Sequence, residues 1–131
     1  MLPARYRMRR SDEFSDAVRH GVRSGARRLV VHLRLTEDEA DQGEPSLVGF
    51  IVPKSVGTAV HRNRVKRRLR ALVADRLSAV PAGARLVVRA LPPADGAGFA
   101  ALEADLDGAL AGALAGAHRK ARRAAAARER P

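Results

Sequence analysis

Between Lys54 and Arg70 the chain reads Lys-Ser-Val-Gly-Thr-Ala-Val-His-Arg-Asn-Arg-Val-Lys-Arg-Arg-Leu-Arg, and no Asp or Glu occurs between Glu44 and Asp75. Val65, Leu69, Leu72, Val73 and Leu77 fall at i, i+4, i+7, i+8 and i+12, which is one apolar stripe of a helix opened near Thr58. The other faces of that helix are crowded with cations: Arg62, Lys66 and Arg70 form one i, i+4 row, and Arg64 and Arg68 another. Like charges at that spacing cost roughly a few tenths of a kcal/mol per pair, and no neighbouring carboxylate offsets them. Such a helix needs two partners, an apolar surface under its stripe and a polyanion over its cationic face. A solvated basic face is the ordinary fate of a charge run, but a solvated face mixes signs and this one does not.

The residue types sharpen that reading. Guanidinium groups suit bidentate contact with phosphate. Asn63, set between two arginines, can donate and accept at once, so it can meet a base edge or sugar as well as a phosphate. Gly57 permits a tight turn ahead of the helix, whose first N–H groups can hold an anion.

The whole chain is consistent with this. Its 131 residues suit one domain, and 46% hydrophobic content supports a core despite a net charge of +11. Nucleic acid is the leading partner for such a charge, with an anionic membrane surface second. The basic helix has few large apolar residues to insert, which argues against the membrane. No stretch approaches the roughly 18 apolar residues of a membrane span, and Met1 to Arg10 has no apolar run of signal-peptide type. With no cysteine there is neither a disulfide framework nor thiolate chemistry, which fits a cytoplasmic protein. The only lysines are Lys54, Lys66 and Lys120. Codon bias can enrich Arg and Ala, but it does not cluster charges. His20, His32, His61 and His118 lack metal-like spacing, and neither a Ser/His/Asp set nor clustered carboxylates suggests catalysis by the protein.

Along the chain, residues 1–10 read as a basic arm with Arg5, Arg7, Arg9 and Arg10. A short helix is expected over about 12–20, N-capped by Ser11, with Phe14, Ala17 and Val18 on one face and Gly21 as its C-cap. Residues 28–35 and 47–52 read as two strands, antiparallel to each other, around an acidic loop holding Glu37, Asp38, Glu39, Asp41 and Glu44. After the basic helix, 85–90 reads as a third strand. Phe99, Leu102, Leu106, Leu110 and Leu114 then form a last helical stripe. From His118 to Pro131 the chain is rich in Arg and Ala and reads as a frayed or disordered tail, leaving residues 11–117 as the single α/β domain. The fold class expected is α/β (α+β), a two-layer sandwich of one small sheet with helices packed on it.

The run from Lys54 to Arg70, with its Gly-x-Ala-Val-x-Arg-Asn-Arg-x-Lys-Arg core, resembles the signature of the bacterial ribonuclease P protein component. The resemblance spans most of residues 5–115. It implies an α-β-β-α-β-α order around a small central sheet, with a left-handed βαβ crossover where general rules favour the right-handed one. It implies a subunit that assists removal of the 5′ leader from precursor tRNA, while the RNA subunit carries the catalysis and mainly holds the Mg²⁺. The partners implied are that RNA subunit and the 5′ leader, with no further protein. Carried over by position, the RNA-binding set is Lys54, Arg62, Asn63, Arg64, Lys66, Arg67 and Arg70, and the leader cleft uses Phe14, Val18 and His32. Thr58 departs from the family's usual Asn, Ser55 from a frequent basic residue, and Val18 and His32 from frequent aromatics. With 3% aromatics, the chain has little surface for stacking bases. The alternative function is a non-catalytic basic module such as a small ribosomal or nucleoid-associated protein.

Overall fold

The computed structural model describes residues 2–36 and 43–129. The acidic residues Glu37, Asp38, Glu39 and Asp41 lie outside the described residues. Among the described residues, three α-helices and four strands follow in the order α1 (Ser11–His20), β1 (Val22–Gly25), β2 (Leu29–Arg34), β3 (Leu47–Ile51), α2 (Ala59–Ala74), β4 (Arg85–Ala90) and α3 (Phe99–Glu129). The strands lie side by side as β1-β2-β4-β3. β2 is antiparallel to both β1 and β4, while β3 runs parallel to β4. The strands expected at 28–35 and 47–52 thus do run in opposite directions, but they are not neighbours, because β4 is inserted between them. The basic helix α2 is the crossover that joins the parallel pair β3 and β4.

Strand alternation divides the apolar residues between two faces of the sheet. Leu29, Val31 and Leu33 of β2 and Leu86 and Val88 of β4 share one cluster with Val65, Leu69, Leu72 and Val73 of α2 and Leu102, Leu106 and Leu110 of α3. The predicted stripes of both helices therefore form the main core. Val87 points the other way, into a smaller cluster with Met8 and Ala17, against which Phe14, Leu47 and Ile51 pack. The single helix α1 covers only part of this second face. Its remainder carries Arg23, His32 and Arg89, with Arg23 opposite His32 on β1 and β2 and Val30 opposite Arg89 on β2 and β4.

Several local expectations are corrected. The N-cap of α1 is Arg10 rather than Ser11, and the capping group is the Glu13 carboxylate, which accepts from the Arg10 N–H at 3.1 Å. Gly21 ends α1 in an extended conformation (φ −83°), so no left-handed residue is needed. A Cβ there would meet the carbonyl oxygens of Ala17 at 2.4 Å and Leu33 at 2.7 Å, so close backbone approach is what requires glycine. Strand β1 escaped the pattern because Val22-Arg-Ser-Gly holds a single large apolar residue. It forms because β2 pairs with it, and because Gly112 lets α3 lie against it: a Cβ there would stand 2.6 Å from the Ser24 Oγ. Phe99, assigned to the last apolar stripe, is 46% exposed at the first residue of α3. The segment expected to fray from His118 continues α3 to Glu129, since Ala and Arg are among the best helix formers. The basic arm is docked rather than free. Leu2 is buried in the main core, and the Met8 N–H donates to the Val48 carbonyl at 2.8 Å.

Candidate nucleic-acid interface

Local chemistry fixes α2 at both ends. The Thr58 hydroxyl caps its first turn, accepting from the His61 N–H at 3.4 Å. Gly57 precedes it at φ 157°, where a side chain would crowd His61 and Asp95. The His61 Nδ1 lies 2.9 Å from an Asp95 carboxylate oxygen, and Arg68 donates to the Ala97 carbonyl at 2.6 Å. These contacts tie α2 to the loop before α3. Beyond its C-terminus, Arg76 donates to Glu103 at 2.9 Å, Asp107 at 2.5 Å and the Leu72 carbonyl at 2.9 Å. Those carboxylates raise the pKa of Arg76, and the same bond lowers that of Asp107.

The cations thus fall into two sets. Arg28 pairs with Asp105 at 3.2 Å, and Arg34 and Arg85 share Asp16 at 2.5 and 2.7 Å. Like Arg76, these hold the fold together. Lys54, Arg62, Arg64, Lys66, Arg67 and Arg70 pair with no carboxylate among the described residues. Lys54, Asn63, Arg64 and Arg67 are exposed; Arg62, Lys66 and Arg70 are partly buried along one side of the helix. The Arg62 Nε is buried with no hydrogen-bond partner.

Lys66 and Arg70 line a small cleft together with Arg7, Phe14, Gly49 and Phe50, where α1, α2 and β3 meet. Phe14 is partly buried, and its ring lies on the bare backbone of Gly49: a Cβ there would stand 2.3 Å from the ring. Packing and cleft lining are therefore both functions of this one ring. Val18, one turn further along α1, is 40% exposed. His32 is only 7% exposed, and its Nδ1 is buried without a partner. Burial lowers the pKa of His32, and the charges of Arg23 and Arg89 lower it further, so the ring is held neutral. The sequence marks Arg7 only as part of a basic arm, and it does not single out Gly49, Phe50, Arg23 or Arg89. Strand alternation was a usable signal for Arg89, but a glycine seat under an aromatic ring has none.

Cations brought together without acids make the free protein responsive to multivalent anions. Sulfate or phosphate is expected to raise the melting temperature well beyond ionic-strength-matched chloride, because it binds the folded state. Thermal melts in the three salts check this, and equal responses would rule it out.

Among the described residues, no group of three or more His, Cys, Asp or Glu side chains is placed to hold a metal ion. No helix there is long and apolar enough to cross a membrane.

A family model described as Ribonuclease P matches residues 2–114. A ribonuclease P protein component from Beutenbergia cavernae is 57% identical over 108 residues, covering 82% of this chain and 87% of the relative. One from Streptomyces bikiniensis is 54% identical over 113 residues, covering 83% and 92%. Among solved structures, the ribonuclease P protein of Staphylococcus aureus superimposes with a TM-score of 0.69 at 27% identity, over 80% of this chain and 92% of that one.

Proposed function

The chain belongs to the ribonuclease P protein family, and on that premise we propose that it binds the RNA subunit through α2 and the 5′ leader of precursor tRNA through the cleft between α1, α2 and the sheet. The family is that of a tRNA-processing ribonuclease, and the alternative of a ribosomal or nucleoid-associated module has no support in these matches. The observation that carries the reading is the segregation of charge. Arg28, Arg34, Arg76 and Arg85 pair with distant carboxylates and brace the fold, while Arg62, Arg64, Lys66, Arg67 and Arg70 of α2 have no carboxylate partner among the described residues and are left for a ligand. Catalysis and its Mg²⁺ lie with the RNA subunit. Among the protein's described residues, Asp16, Glu103, Asp105 and Asp107 are committed to arginines. Its residues bind and orient: Lys54, Arg62, Arg64 and Arg67 engage phosphates, Asn63 adds a polar contact, and Lys66 and Arg70 lie where the RNA face meets the leader cleft. The site of action is cytoplasmic.

The test is reconstitution. Protein alone leaves precursor tRNA intact. Combined with its RNA subunit, it gives cleavage with tighter binding of precursor than of mature tRNA. Cleavage by the RNA-free protein, or no difference between the two tRNAs, would refute the assignment.

Phe14 and His32 allow a finer test in the same assay. Phe14→Leu keeps apolar volume on Gly49 but loses the flat ring. A stacked base is worth about 1–3 kcal/mol, and a ring already shared with the core belongs at the low end. The expected loss is confined to precursor tRNA. His32, only 7% exposed, offers little surface to a base, so His32→Tyr is expected to crowd the sheet and not to tighten precursor binding. Equal losses for both tRNAs in Phe14→Leu would assign the ring to the fold alone.

A further inference from the structure

The last part of α3 is not used by the interface just described. No Asp or Glu occurs between Asp107 and Glu129, and Arg119, Lys120, Arg122 and Arg123 fall within that stretch. All four are exposed, and none has a carboxylate partner among the described residues. The last buried residue of the helix is Ala117, so the basic turns extend past the core and past the end of the family match at residue 114. Their position is fixed. Gly112 and Gly116 set α3 against Ser24 and Val22 of β1, and Lys120 Nζ donates to the His20 carbonyl at 2.5 Å, at the end of α1. The helix therefore flanks the outer edge strand of the sheet, at the opposite edge from β3. At this junction a second cleft opens, lined by the apolar Val22, Leu33, Ala117 and Ala121 beside Lys120 and the Asp16-paired Arg34.

We propose that this surface, the basic end of α3 with the cleft at its base, binds the upstream part of the single-stranded 5′ leader after it leaves the α1–α2 cleft. The proposal rests on the leader-binding reading above. Three features favour the leader over the RNA subunit. The second face of the sheet, where Arg89 and Arg23 are exposed on either side of the buried His32, runs from the side of the α1–α2 cleft toward β1, and α3 flanks that edge. An apolar cleft beside cations suits an unpaired nucleotide, whose base needs a dry surface and whose phosphates need charge. The α2 face already supplies cations for the RNA subunit.

The experiment uses the reconstituted ribonucleoprotein and precursor tRNAs with either a long leader or one trimmed to the few nucleotides beside the cleavage site. The variant is Arg119→Gln/Arg122→Gln/Arg123→Gln, with Lys120 kept because it braces α1. The expected result is a several-fold loss of affinity for the long-leader substrate only. Its salt dependence should flatten by up to about 0.7 units per lost contact, and affinity for the RNA subunit should be unchanged. An equal loss for both leaders, a loss in RNA-subunit binding, or no loss overturns the proposal. A second measurement does not depend on these substitutions. Because the chain has no cysteine, Ala125→Cys gives a unique attachment for a tethered cleavage reagent. Cuts in upstream leader nucleotides support the proposal, while cuts only in the RNA subunit, or none in the leader, refute it. If the wild-type complex did not prefer precursor over mature tRNA, the underlying functional reading would fail instead.

Discussion

Replacing Arg64 and Arg67 together by glutamine is expected to weaken binding of the ribonuclease P RNA by about 2–4 kcal/mol, or roughly 30- to 700-fold, with no loss of thermal stability. Both guanidiniums are exposed, and no carboxylate pairs with either among the described residues. Removing them thus breaks no fold contact and relieves like-charge crowding on α2. If each holds a phosphate, the slope of log K against log[salt] flattens by up to about two units in the double variant. Asn63→Ala provides the contrast. Its side chain carries no charge, so affinity falls while the slope stays as in the parent. Arg76→Gln provides the opposite contrast, because it releases Glu103 and Asp107; it lowers the melting temperature and leaves the slope unchanged. A slope altered as much by Asn63→Ala as by the arginine pair would show that the division between charged positioning and polar recognition is wrong.

These contrasts mark where the sequence was informative. A helix at 59–74 was legible because its apolar stripe and its cap residue Thr58 are both local signals, and the structure buries Val65, Leu69, Leu72 and Val73 as the spacing requires. The cationic set was legible because charge clustering survives any arrangement of the rest of the chain. What escaped depends on partners distant in sequence. β1 exists because β2 and α3 hold it, and four residues with one large apolar side chain cannot announce that. The insertion of β4 between β2 and β3 is invisible to alternation, which gives a strand's faces but not its neighbours. The seat of Phe14 on Gly49 joins residues 14 and 49 across the sheet. The leader residues were placed by family resemblance, and the structure adds what resemblance lacked: His32 is buried and neutral, while Val18 is open to solvent.

The largest effect on stability is expected from a residue that looked like an ordinary surface acid. Asp16, midway along α1, accepts from Arg34 Nη1 at 2.5 Å and from Arg85 Nη1 at 2.7 Å, and its side chain is only 16% exposed. Arg34 and Arg85 are directly opposite each other on β2 and β4, where two like charges destabilise a sheet. The Asp16 carboxylate neutralises them and fastens α1 to the sheet's second face. Asp16→Ala leaves the two guanidiniums facing each other. A fully buried pair loses roughly 3–5 kcal/mol when one partner is removed. Here solvent reaches both arginines, so about 2–3 kcal/mol is expected, a fall in melting temperature of about 8–12 °C for a domain of this size. Asp16→Asn, which keeps the shape and an acceptor but not the charge, should fall between parent and alanine. The pH dependence identifies the cause. Burial pushes the Asp16 carboxyl up, but Arg34 and then Arg85 pull it further down, to a net value below its ordinary 3.8. A carboxylate depressed in the folded state contributes its full stability above the unfolded value and loses it as pH falls through the lower, folded value. The gap between parent and Asp16→Ala should therefore stay constant from neutral pH down to about pH 5 and close only below about pH 4. Urea melts of parent and variant across that range measure it. A gap that widened on acidification, or a variant as stable as the parent at neutral pH, would mean that Asp16 does not hold these two strands and α1 together.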